Sequence, residues 1–80
     1  MDKVTIVGLM DNSNVKITDL NGNIIYQTKS LGGQAIWNCR SANGSRVATG
    51  VYLVLASTEE ASVGAQFKVN RKFKLNLMAG

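Results

Sequence analysis

Residues 15–28 read Val15-Lys16-Ile17-Thr18-Asp19-Leu20-Asn21-Gly22-Asn23-Ile24-Ile25-Tyr26-Gln27-Thr28, and this stretch decides the fold. Val15 and Ile17 fall on one face of an extended chain and Lys16 and Thr18 on the other, the period of a half-buried strand. Asn21-Gly22 is the strongest short hairpin signal, because both central positions of a type I′ turn take positive φ. Asp19 can cap that turn with its carboxylate, and Asn23 to Thr28 returns beside the first strand.

Outward from this hairpin the same pattern repeats. Val4 to Leu9 reads as an earlier strand, closed by the polar cluster Asp11-Asn12-Ser13-Asn14. Gly32-Gly33 breaks the chain before Gln34 to Asn38, where Ala35 and Trp37 share a face and Trp37 supplies the only indole. Arg40 to Gly50 is rich in Ser, Asn and Gly and reads as a loop, with Asn43-Gly44 as its tight turn and Gly50 letting the chain re-enter the sheet ahead of Tyr52. Val51 to Ala56 is apolar on both faces and should be a central strand. Trp37 is expected to pack with Ile17, Val51 and Leu53. Six or seven short strands in this span point to an all-β, antiparallel β-sandwich of the immunoglobulin-like type.

Length sets the scale. Eighty residues, 45% hydrophobic and 18% charged with no proline, describe one domain, residues 1–80, with a single small core. Cys39 has no partner for a disulfide, and a chain with no histidine holds neither a Cys/His metal site nor a Cys–His nucleophile pair. No cofactor and no enzyme activity are expected. The net charge of +4 is unevenly placed: up to Ala65 the five cations and five acids cancel, and the excess is Lys68, Arg71, Lys72 and Lys74. The N-terminus lacks the basic and apolar regions of a signal peptide, and no apolar run nears the roughly 20 residues that would span a bilayer. Met1 heading a bare strand suggests the C-terminal fragment of a larger protein.

Other motifs have plainer readings. Asp19-Leu20-Asn21-Gly22-Asn23 looks like the start of a calcium loop, but Gly22 stands fourth where a sixth-position glycine is needed and Ser30 stands twelfth in place of glutamate. Asn43-Gly44-Ser45 fits the glycosylation pattern and equally a turn. Glu59-Glu60 is read as a solvated pair, and Cys39 as an inert thiol.

From Ala65 to Leu77 the chain alternates, with Phe67, Val69, Arg71, Phe73, Leu75 and Leu77 on one face and Lys68, Lys72 and Lys74 on the other. No aromatic sits among the lysines, so a nucleic-acid surface is not indicated. Thirteen extended residues would reach about 43 Å, against about 17 to 20 Å for a common strand. The segment is therefore expected to project an edge that another chain completes, by strand addition or as a swapped homodimer; a hairpin near Asn70 and Arg71 is the alternative.

The motifs from Val15 to Leu55 occur in an informative order: Val-Lys-Ile-Thr-Asp-Leu-Asn-Gly, then Gly-Gly-Gln-Ala-Ile-Trp-Asn-Cys-Arg, then Asn-Gly-Ser-Arg-Val-Ala-Thr-Gly-Val-Tyr-Leu-Val. This order resembles the C-terminal sorting domain of type IX secretion cargo and the related FlgD-like immunoglobulin fold. The opening Val-Thr-Ile-Val-Gly-Leu and the residues around Trp37 look most like the domain that ends large two-component-regulator β-propeller proteins. Asn38-Cys39 stands where the family has Asp-Gly after the tryptophan, and the closing segment is longer and more basic than the family's.

The resemblance implies a noncatalytic sorting or docking module of a secreted or cell-surface protein, with an extracellular or outer-membrane destination after periplasmic passage. Its partners would be the secretion machinery or its own upstream propeller. The alternative it leaves is a structural or ligand-binding domain packed on a propeller, without an export role.

Overall fold

The computed structural model describes residues 3–58, 69 and 71–78. Its strands are β1 (Val4–Ile6), β2 (Asn14–Thr18), β3 (Ile24–Lys29), β4 (Ala35–Trp37), β5 (Gly50–Ser57) and β6 (Arg71–Leu77). All pair antiparallel. β1 and β4 form a two-stranded sheet, and the other four form a second sheet in the order β3-β2-β5-β6. The protein is an all-β sandwich, with six strands among the described residues.

The core lies between the sheets. Val15 and Ile17 of β2, Ala35 and Trp37 of β4, and Tyr52, Val54 and Ala56 of β5 are buried together with Ile6, Leu9, Cys39 and Leu77. Trp37 is fully enclosed, and its ring meets that of Tyr52 edge-on, with centroids 5.7 Å apart and planes at 70°. That geometry sets the positive edge of one ring against the negative face of the other. The indole N–H, which burial would otherwise leave unpaired, donates to the Arg40 carbonyl at 2.8 Å.

The expected face of β5 is corrected. Val51, Leu53 and Leu55 are only half-buried, whereas Tyr52, Val54 and Ala56 point into the core. The pairing of Ile17 with Val54 settles the phase, because residues directly opposite on antiparallel strands share a face. A strand that is apolar on both sides carries no phase of its own.

The first strand is shorter than Val4 to Leu9. Gly8 takes φ +79 and turns the chain out of the sheet. Leu9 then folds inward, its N–H donating to the Gly33 carbonyl at 3.0 Å, while Val7 is left exposed. Of the alternating segment from Ala65 to Leu77, the described residues form β6 from Arg71. It pairs with β5 of its own chain over its whole length, from Arg71 opposite Ala56 to Leu77 opposite Gly50. Residues 59–68 and 70, which hold the expected connection, the Glu59-Glu60 pair, Phe67 and Asn70 of the alternative hairpin, lie outside the described residues.

The hydrogen bonds define two ends of the sandwich. At one, the loop after β1 is tied to the loop after β3, with Asn12 N–H donating to the Ser30 carbonyl and Ser30 N–H to that of Ser13. At the other, the β4–β5 loop crosses to β3, where Ala42 N–H donates to the Ile25 carbonyl at 2.9 Å. β1 starts and β6 finishes at this second end, since Val4 lies opposite Trp37 and Leu77 opposite Gly50.

Removing the indole should create a cavity at the contact between the sheets, so Trp37→Ala is expected to cost about 3 to 5 kcal/mol in chemical denaturation, most of the stability of a domain this small. Leu53→Ala, on the outer face, should cost less than half of that. Equal losses would contradict the observed phase of β5.

Candidate functional site

The Asp19 turn is built differently from the type I′ form expected. Gly22 has φ +90, but Asn21 is not among the positive-φ residues. Gly22 N–H donates to the Asp19 carbonyl at 3.2 Å and Asp19 N–H to the Asn23 carbonyl at 3.0 Å, leaving three residues in the loop. A three-residue loop takes a type I turn followed by a glycine bulge, which needs positive φ only at the last position. The reason lies in Asp19. Its Oδ1 accepts from the backbone N–H groups of Asn21 and Asn23, and its Oδ2 from the Asn23 side chain, each at 2.9 Å. The Asn23 amide, then the Asn23 and Asn21 backbone donors, hold this carboxyl below its ordinary value of 3.8. These bonds occupy the oxygens that a calcium loop would offer a cation.

Between Trp37 and Tyr52 the chain forms a second compact loop. Cys39 is buried and takes φ +61, the left-handed conformation that a glycine would adopt freely. Asn38 Oδ1 accepts from Arg40 N–H at 3.2 Å, and the Cys39 carbonyl accepts from Val47 N–H. Beyond it, Asn43 Oδ1 accepts from the Ser41 hydroxyl and from Ser45 N–H, and Gly44 reaches φ +90. Arg40 Nη1 donates to the Gly44 carbonyl at 2.9 Å, closing the loop. Tyr52 fastens the far side, its hydroxyl donating to the Ala48 carbonyl four residues upstream.

Gly50, read as letting the chain re-enter the sheet, opens β5. It does not take positive φ, and a Cβ there would meet nothing within 4 Å.

A group the sequence did not single out secures the opposite end. Ser13 and Ser30 are buried, and both hydroxyls donate to the Met10 carbonyl, at 2.6 and 2.7 Å. Ser30 Oγ also accepts from Ser13 N–H at 2.8 Å. Asp11 Oδ1 accepts from Gly32 N–H at 2.8 Å, and Gly33 approaches so closely that a Cβ would lie 2.9 Å from the Leu9 carbonyl. Beside this clamp lies an open groove of 310 Å³, where Lys29 is the only charged lining residue among the described ones. Among the described residues no group of three or more Cys, Asp or Glu side chains could hold a metal ion, and no helix is long and apolar enough to cross a membrane.

The strongest surface feature is β6. It ends the four-stranded order, so among the described residues no strand pairs with its outer edge. Leu77 is buried, Leu75 half-buried and Phe73 37% exposed, so the apolar face opens progressively toward Arg71. Lys72, Lys74 and Arg71 are exposed, as is Val69 before the strand. Phe67 lies outside the described residues.

Among the described residues, the sandwich offers loops at its two ends and one basic edge that no strand pairs. The chain belongs to the secretion system C-terminal sorting domain family, whose model matches residues 1–70. Among solved structures it is similar to PorZ of Porphyromonas gingivalis, an essential bacterial surface component of the type-IX secretion system. The two are 38% identical with a TM-score of 0.71, over 98% of this chain and 10% of PorZ. The chain thus spans about a tenth of that protein's length. No curated protein matches it. A type IX sorting role and a secreted or cell-surface parent follow from the family.

Two outcomes test these loops. Cys39→Gly exchanges the strain of a left-handed side chain, about 1 to 2 kcal/mol, for lost burial and a freer unfolded chain, so its net effect should stay within about 1 kcal/mol. Cys39→Val, β-branched at positive φ, should cost more than about 2 kcal/mol. For Asp19, the folded-state value is depressed, so its contribution is present above the unfolded value and is lost as pH falls through the folded one. Thermal melts should show the wild type more stable than Asp19→Asn at pH 7, with the difference closing below pH 3.8. A gap that persists at pH 2 would refute the role of the charge.

Proposed function

We propose that this chain is a noncatalytic sorting and docking module that marks a larger secreted or surface protein for a type IX-like secretion system. It is recognised as a folded body rather than as a linear peptide. The observation that carries this reading is the sorting-family match from residue 1 to residue 70, which takes in β1 through β5 together. A match that takes in strands of both sheets supports recognition of a folded shape. The likeness to PorZ supports a destination at the outer-membrane or extracellular surface. Recognition would be by strand edges and end loops, where backbone groups and turn side chains are presented in fixed geometry.

The test is genetic and cell-biological. Deleting residues 1–80 from the parent should abolish delivery to the surface while the remainder folds and accumulates inside the cell, and fusing them to a passenger already exported to the periplasm should restore delivery. Unchanged surface delivery after deletion would overturn this reading in favour of a structural domain packed on its neighbour, for example a β-propeller.

A further inference from the structure

We propose that the open edge of β6 is a docking strand for an extended acidic segment of a partner protein, one that alternates apolar and carboxylate side chains. This names the partner of the sorting module and rests on that reading. β6 lies beyond the residues that the family model matches, so its chemistry is a property of this chain.

Three observations specify the occupant. The outer edge of β6 is unpaired among the described residues, and an unpaired edge is a row of backbone donors and acceptors suited to one more strand. The two faces of that edge differ. On the core side Phe73 is 37% exposed and Leu75 half-buried, so an added strand would complete its own stabilisation by covering them with apolar side chains. On the outer side Lys72 and Lys74 are exposed, opposite Leu55 and Leu53 of β5, and no acidic side chain pairs with either among the described residues. An added strand therefore sets its outward side chains beside two lysines, where carboxylates are favoured and cations are not.

The same charges disfavour a second copy of this chain in the registers centred on residues 72 to 74. An antiparallel β6–β6 pair centred on residue 72 or 74 places a lysine opposite its own symmetry mate, and one centred on residue 73 places Lys72 opposite Lys74. Like charges directly opposite are destabilising, and lysine on an edge strand is a common device against self-pairing. The edge is guarded against copies of itself in these registers and favours a strand of opposite charge.

The 80-residue chain can be titrated with a capped heptapeptide of alternating valine and glutamate, and with its valine–lysine counterpart, by fluorescence anisotropy at low and high salt. The glutamate peptide should bind at least about tenfold more tightly, weaken with salt, and perturb the amide resonances of Phe73 to Leu75. The double variant Lys72→Glu/Lys74→Glu alters only exposed side chains and should reverse the preference. Equal binding of the two peptides, perturbation elsewhere, tighter binding to anionic vesicles or to single-stranded DNA, or dimerisation in light scattering would each overturn the proposal. Delivery is read separately: loss of peptide selectivity with deletion still blocking delivery removes the edge alone. Intact selectivity with delivery unaffected by deletion removes the sorting reading alone.

Discussion

The edge-on contact between Trp37 and Tyr52 is the constraint on which the structure depends. One ring comes from the two-stranded sheet and the other from the centre of the four-stranded sheet, so their meeting fixes how the sheets face each other. Both rings also carry a polar group that burial would strand. The indole finds the Arg40 carbonyl and the phenol finds that of Ala48, and these acceptors lie in the same β4–β5 loop. The core thereby dictates the path of the loop. The left-handed Cys39 follows from this, because the chain must turn sharply after Trp37 to bring Arg40 back over the indole.

How much of this was legible follows from where period and turn chemistry carry information. The β2–β3 hairpin was plain, since Val15 and Ile17 alternate with polar residues and Gly22 marks the reversal. The kind of turn was not, because Asn-Gly suits a two-residue loop equally well until the Asp19 carboxylate is seen to collect the donors of Asn21 and Asn23. β5 was legible as a central strand but not in phase. Trp37 stood out by size, whereas its partner Tyr52 was read only as part of a family motif.

Buried serines were the least visible. Ser13 and Ser30 sit among turn residues and look like solvated punctuation, yet each is enclosed and fully bonded. Nothing local distinguishes a serine that turns a loop from one that pins two loops together across seventeen residues. In the closing segment the alternation runs unbroken from Ala65, and period alone does not say which chain a strand pairs with. Its described part, Arg71 to Leu77, lies opposite Ala56 to Gly50 of β5.

The placement of β1 and β6 has a mechanical consequence. The first strand starts and the last strand finishes at the same end of the sandwich, so tension applied between those points does not slide β6 along β5. It opens the ladder like a zipper, beginning at the Leu77–Gly50 rung and breaking bonds in turn rather than all at once. A strand loaded in this direction resists little, while β2 and β5, held between neighbours on both sides, stay closed. Under traction the sandwich would shed its basic border first and keep its aromatic centre.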